Sequence, residues 1–240
     1  MTLLLIDADI IAFKACASAE TPVNWGDGHW TLHCYEDDVA IRIDDQISKL
    51  EEEAPVQDVV LALSDTNENF RKKVAPYYKA NRKDVRKPML LPWARQYMLD
   101  KYNTVIYKGL EADDVLGILG SNNAETIIWS EDKDLLTVPA KHWIDGEVFV
   151  QDKAGADYNF YYQTLVGDST DNYKGCPKVG SVTAHKLLGA NCSWDTVVEA
   201  YAKQGLSEAV AIEQAQLARI LRDGEYDTDT GKVTLWNGTT

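Results

Sequence analysis

LLLIDADIIAF, residues 3–13, changes its pattern part-way along. Leu3 to Ile6 is an unbroken apolar run of strand length, the signature of a strand covered on both faces. From Ile10 to Ala17 the spacing predicts a helix. Asp7 stands at the handover, at the carboxyl end of the strand. In an open parallel sheet that edge is where ligands collect. The segment has no basic start and carries Asp7 and Asp9, so it reads as a core strand and not as a signal peptide. No run in the chain reaches the roughly eighteen apolar residues of a membrane span.

The same grammar repeats outward from this stretch. Asp58 to Leu63 reads as a second buried strand, with Asp65 just past its end. Asn103 to Tyr107 is a third strand and Thr126 to Trp129 a fourth, followed at once by Asp132 and Asp134. Between them, Val39, Ile43, Ile47 and Leu50 fall at helical spacing within 37–53, and another helix begins around Glu111. Glu20 to His33, with Pro22, Gly26 and Gly28, reads as a loop. His142 to Val150 predicts a hairpin turning at Asp145-Gly146. From 156 onward the texture is helical, with turns at 167–175 and 189–193, helices over 194–203 and 207–222, and a closing strand over 233–236. This alternation predicts an α/β core with a central, mostly parallel sheet flanked by helices over 1–155, and a helical region over 156–240.

Charge is distributed unevenly. The 240 residues carry a net charge of −14, which taken alone argues against nucleic acid. Yet 71–87 holds Arg71, Lys72, Lys73, Lys79, Arg82, Lys83, Arg86 and Lys87 against the single acid Asp84. A polyanion could bind there. A solvated basic helix with two packed tyrosines is the plainer reading of the same residues. Cys16, Cys34, Cys176 and Cys192 form no close pair and no zinc spacing, which fits reduced thiols in a cytoplasmic setting.

Nine acids mark the chemistry: Asp7, Asp65, Glu111, Asp113, Asp114, Asp132, Asp134, Asp168 and Asp171. They sit beside apolar runs, where an unpaired carboxylate is costly, and gathering them adds mutual repulsion. Divalent cations remove that cost, and an all-oxygen donor set suits magnesium or manganese. Each cluster also has a plainer explanation. The acids of LEADD, 110–114, can compensate a helix dipole, and those of SEDKDLL, 130–136, can close an Asx turn. In 167–189, GDSTDNYKGCPKVGSVTAHKLLG, an acidic pair precedes a Gly-x-Pro-x-x-Gly turn and a Ser-x-Thr helix start. Glycines such as Gly175 and Gly180 there allow close approach to a phosphate, and the free N–H groups of the helix that Ser181 opens can bind it. In FRKKVAPYYKANRK, 70–83, Arg and Lys can pair a phosphate, and Tyr77 and Tyr78 can stack on a base. The pattern points to metal-dependent phosphoryl transfer by a nuclease.

These segments together resemble the flap-endonuclease superfamily in its phage 5′→3′ exonuclease branch, over nearly the whole chain. LLIDAD resembles its first metal-binding strand. LALSDTNENFRKKVAPYYKANRK resembles its strand, acid and basic arch, placed here at about 68–95. LEADDVLG and SEDKDLL resemble its central acidic motifs, and 167–189 its helix-three-turn-helix. QLARILRDGEYDTDTGKVTLW resembles the phage branch. Ala8 stands where the family often has Gly, and Asp9 is expected behind the site.

The resemblance implies a nuclease core of flap-endonuclease type with a DNA-gripping helical region. It implies two magnesium ions, with manganese as a substitute. Asp7, Asp65, Glu111, Asp113 and Asp114 would hold the first, and Asp132, Asp134, Asp168 and Asp171 the second. Lys79, Arg82 and Tyr78 would be catalytic. Arg71, Lys72, Lys83, Gly175, Lys178, Gly180, Ser181, Thr183 and Lys186 would hold DNA, with potassium at the helix-three-turn-helix. The implied substrate is double-stranded DNA with a 5′ end, nick, gap or flap, and RNA–DNA hybrid besides, with no membrane partner. A catalytically silent DNA-binding protein and an acidic ribonuclease of a small related fold are the competing classes.

Overall fold

The computed structural model describes residues 2–238, with the side chain of Asn122 left aside. β1 (Leu3–Asp7) runs straight into α1 (Ala8–Ala19), and the Asp7 carboxylate caps that helix by accepting from the Ile10 N–H. The helix begins and ends about two residues beyond its predicted limits. The segment expected as a loop is instead an antiparallel hairpin, β2 (Thr21–Gly26) and β3 (His29–His33). Its turn needs the positive φ of Gly26, Asp27 and Gly28, which is why the stretch is rich in turn residues. α2 (Glu36–Glu53) buries Val39, Ile43, Ile47 and Leu50 as their spacing predicts. β4 (Asp58–Ala62) follows.

The basic stretch is broken. α3 (Phe70–Val74) is short, a single 3-10 turn spans Ala80–Arg82, and α4 (Leu91–Lys101) starts after Pro88. β5 is only Thr104–Val105, shorter than expected. α5 (Ala112–Asn122), β6 (Thr126–Trp129) and a 3-10 turn at Lys133–Thr137 come next. β7 (Lys141–Ile144) and β8 (Glu147–Val150) form the hairpin expected around Asp145-Gly146, both of which take positive φ. The helical region holds α6 (Lys153–Val166), α7 (Ser181–Ala190), α8 (Trp194–Ala202) and α9 (Glu208–Ala218). β9 (Tyr226–Asp227) and β10 (Lys232–Val233) make a ribbon of their own, so the expected closing strand does not join the main sheet.

The central sheet has the order β5-β4-β1-β6-β7-β8, parallel except for the edge strand β8. Pleating sends alternate residues to opposite faces. Leu4, Ile6, Val59, Leu61 and Ile127 pack under α1, α2 and α4. Leu5, Val60, Ala62 and Ile128 pack against α5 and against Ile220 and Leu221. Two covered faces explain why these strands read as continuous apolar runs. A third core fills the helical region and takes in Ala75 and Tyr78 from the basic stretch. Beyond α9 the chain returns to the α/β layers, where the Leu221 carbonyl lies so close to Gly117 that an added Cβ would sit 2.3 Å from it. β1 is central, with β4 on one side and β6 on the other, so the connections diverge at its carboxyl end. That divergence opens the crevice at Asp7. No helix among the described residues is long and apolar enough to cross a membrane.

Candidate active site

Four of the expected acids gather at this crevice. Asp7, from the end of β1, is 3% exposed and accepts the Ser130 hydroxyl at 2.9 Å. Asp113 comes from the first turn of α5, and Asp132 and Asp134 from the 3-10 turn after β6. Burial is the main reason the Asp7 carboxyl is pushed up to about 6, and Asp132 and Glu131 add to it. Asp113 is raised well above the usual carboxylate range by burial, then by Asp7 and Asp132. Asp134 is pushed up to about 7 by burial and by Asp132, Asp168 and Asp171. These are the responses of carboxylates held together with too little positive charge between them.

The basic stretch supplies the cations on the other side. Lys79 takes a left-handed backbone conformation (φ 53°). Its ammonium pairs with Glu111 and lies 3.5 Å from Asp171. Burial works against the Lys79 charge, but Glu111 and Asp171 outweigh it and raise its pKa. Burial likewise opposes the Glu111 charge, yet Lys79 and Arg71 bring that carboxyl down to about 2. The Tyr78 hydroxyl is shared between Glu111 at 2.9 Å and Asp171 at 2.8 Å. Arg82 donates to Asp171 at 2.6 Å and to the Thr170 carbonyl at 3.1 Å.

Backbone contacts hold the 77–82 segment on the 168–173 turn. The Lys79 N–H donates to the Asp171 carbonyl, and the Asn172 amide donates to the Tyr77 carbonyl. Asn81 donates to the carbonyls of Ser169 and Thr170. The turn itself is closed by reciprocal bonds between Asp168 and Tyr173, and the Asp168 carboxylate accepts the Thr170 N–H at 2.6 Å.

Four expectations require correction. Asp114, expected as a metal ligand, is 0% exposed and fully engaged by protein groups. It accepts two Arg71 donors at 2.7 Å, and the N–H groups of Leu221 and Glu111. Arg71, expected to hold DNA, is 2% exposed. Beyond Asp114 it donates to Glu111 and to the carbonyls of Leu217 and Arg219, tying α3, α5 and the end of α9 together. Gly175, expected against phosphate, is buried with positive φ, and a Cβ there would lie 2.4 Å from the Gly167 nitrogen. Tyr78 cannot stack on a base, because its ring is 2% exposed within the helical core.

Asp65 is held by backbone groups of its own loop and of Gly109. Its carboxylate accepts the N–H groups of Asn67 and Gly109, both at 2.8 Å, and these overcome burial to lower its pKa. Asp9 pairs with Arg95 and accepts the Ser64 N–H at 2.9 Å. Lys72, Lys83, Lys178, Gly180, Ser181, Thr183 and Lys186 are all exposed. Gly180 caps α7 without a side chain and has open space where a Cβ would point. Sequence reasoning passed over Ser130, Asn81, Asn172 and Gln214. Gln214 accepts the N–H groups of Lys174 and Gly175 and donates to Tyr77, bracing the turn from α9. Only Asn81 carried a signal, from its place between Lys79 and Arg82.

The gathered acids are an all-oxygen donor set, with the carboxyls of Asp7, Asp113 and Asp134 raised, which fits a divalent cation. Among the described residues, no three His, Cys, Asp or Glu side chains close tightly enough on one point to enclose an ion. Water or side-chain movement would therefore complete the coordination.

The family model for the 5′-3′ exonuclease, N-terminal resolvase-like domain matches residues 2–163. The chain belongs to the 5′-3′ exonuclease family. It is 29% identical to the exonuclease of Escherichia phage T7, over 98% of this chain and 93% of that protein. It is 30% identical to the exodeoxyribonuclease of Enterobacteria phage T3, over 98% of this chain and 92% of that one. Among solved structures, the exonuclease fold matches the phage T5 5′-exonuclease with zinc bound at a TM-score of 0.68 and 14% identity, covering 91% of this chain and 89% of that chain. A phage T5 flap endonuclease complex with DNA and metal ions gives a TM-score of 0.66 at 14% identity, with the same coverage. At such identity the structural likeness shows the fold.

Proposed function

We propose that this exonuclease hydrolyses phosphodiester bonds from the 5′ ends of double-stranded DNA, at free ends, nicks, gaps or flaps, and in RNA–DNA hybrids as well. One observation carries the reading. Asp7, Asp113, Asp132 and Asp134 gather at the carboxyl edge of a parallel sheet, the carboxyls of Asp7, Asp113 and Asp134 raised by burial and crowding, with the Lys79 ammonium acting on Asp113. Magnesium, or manganese in its place, would be held by Asp7, Asp113, Asp132 and Asp134, with Glu111, Asp168 and Asp171 contributing alongside. When bound, it supplies a lowered pKa for an attacking water and charge stabilisation for the departing oxygen.

The protein's own groups position the substrate. Lys79 and Arg82 are held by Glu111 and Asp171 in the resting arrangement and exchange those partners for the scissile phosphate. Tyr78 keeps Glu111 and Asp171 at a fixed separation while that exchange takes place. The uncapped start of α7, with Lys178, Ser181, Thr183 and Lys186, takes duplex backbone without reading sequence. Potassium would lie against the carbonyls of the 167–180 turn. Digestion of 5′- and 3′-labelled duplexes, with and without a flap, tests the reading by product sizing. Label release from the 5′ end, dependent on magnesium, is expected. Release from the 3′ end alone, or cleavage indifferent to chelation, contradicts it.

A further inference from the structure

The β2–β3 ribbon pairs only with itself, and nearly every residue along it is exposed. A two-stranded ribbon with no buried face is marginally stable in water. Its tip nevertheless carries two tryptophans, Trp25 at 65% and Trp30 at 62% exposure. Neither belongs to any of the three cores. Scattered exposed apolar side chains need no explanation, but two large aromatics flanking one exposed turn are more than scatter.

The Trp25 ring is held in place. The Trp25 indole N–H donates to the Thr31 hydroxyl at 2.7 Å, which lies 2.7 Å from His33 Nε2. Trp25 is thus laid over the Thr31 face of the ribbon. Trp30 is next to Thr31 in the strand and so points to the other face. The tip presents an aromatic surface on each side.

The root of the ribbon is tied to the basic stretch. Glu20 accepts from Arg86 at 2.8 Å and from the Met89 N–H at 2.7 Å. Lys83, Arg86 and Lys87 are exposed on that stretch. The ribbon therefore rises beside exposed basic residues of an otherwise acidic chain.

We propose that the ribbon tip is a base-stacking element for unpaired DNA. Bases of a single-stranded stretch next to the cleaved duplex stack on Trp25 and Trp30, while their phosphates run over Lys83 and Lys87. Sequence-tolerant recognition of single strands combines these two ingredients, aromatic platforms and a cationic track. The proposal rests on the DNA reading above.

The test compares wild type, Trp25→Ala/Trp30→Ala and Trp25→Phe/Trp30→Phe on a blunt duplex and on the same duplex carrying a short unpaired stretch. Binding is followed by fluorescence anisotropy in calcium, and cleavage in magnesium. The alanine variant is expected to lose about tenfold in affinity for the partly unpaired duplex. It should cut the blunt duplex as wild type does, which also shows that it folds. The phenylalanine variant is expected to keep most of the affinity. Equal losses on both duplexes, or no loss on either, overturns the ribbon assignment while wild type still binds and cuts. Wild type that neither binds nor cuts DNA overturns the DNA reading, and this proposal with it.

Discussion

Asp113 and Asp114 are neighbours in the sequence and opposites in the fold. Asp114 turns into the protein and meets Arg71, so its charge is neutralised from within. Asp113 turns toward Asp7 and Asp132, so its charge is opposed rather than balanced. One turn of α5 thus divides a structural anchor from a candidate cation site. Consecutive residues on a helix point about 100° apart, so an acidic run always serves more than one direction. A cluster of acids in a sequence therefore does not define a ligand set until each partner is known.

The sharpest way to break this contrast is to mutate both sides. Asp113→Ala and Asp132→Ala are expected to abolish cleavage, by roughly a thousandfold or more, while the melting temperature holds or rises. Asp114→Ala should act through folding. It leaves the Arg71 guanidinium buried without its main partner, a change that costs about 3–5 kcal/mol, and the thermal melt would report it. Near-normal turnover in Asp113→Ala, or an unchanged melt in Asp114→Ala, breaks the division between the two acids.

Lys79 sharpens the boundary, since it touches Glu111 on the anchored side and Asp171 on the other. Lys79→Ala is expected to lower kcat by roughly a hundredfold with a much smaller change in DNA affinity. Steady-state kinetics beside a binding isotherm reads this directly. A fall in affinity with kcat unchanged would make Lys79 an anchor for DNA only.

A smaller effect distinguishes the two regions by pH. Asp7 and Asp134 titrate at about 6 and about 7 in the folded chain, above the ordinary 3.8. Their contribution to stability is present below about pH 4 and is lost as the pH rises through 6 and 7. Without divalent ions the chain should melt at lower temperature at pH 8 than at pH 5. Magnesium should raise the melting temperature more at pH 8, by roughly 3–6 °C. Equal rises at both pH values would place the ion elsewhere. Arg71, whose charge burial opposes but Asp114 beside it reinforces, stays charged throughout and contributes nothing to this difference.

Much of this was legible in the sequence. Two covered sheet faces wrote LLLI, VVLAL and TIIW as apolar runs, and the acid after each marked the carboxyl edge. Asp145-Gly146 announced its hairpin because two consecutive positive φ angles demand such residues. The 20–33 hairpin was not legible, because a ribbon exposed on both faces has no apolar alternation and its Pro and Gly read as loop. Arg71 was not separable from Lys72 and Lys73, since the groups that bury it lie more than forty residues away at Asp114 and at the end of α9. Gly175 looked like a phosphate-approach glycine, but its missing Cβ admits the backbone of Gly167.

The most direct measurement is calorimetric titration of manganese into wild type, Asp113→Asn and Asp114→Asn at pH 8. The expected result is saturable binding to wild type, abolished or strongly weakened in Asp113→Asn. In Asp114→Asn, binding should persist at whatever fraction of the protein remains folded. Manganese binding that is untouched in Asp113→Asn and lost from folded Asp114→Asn would contradict the account.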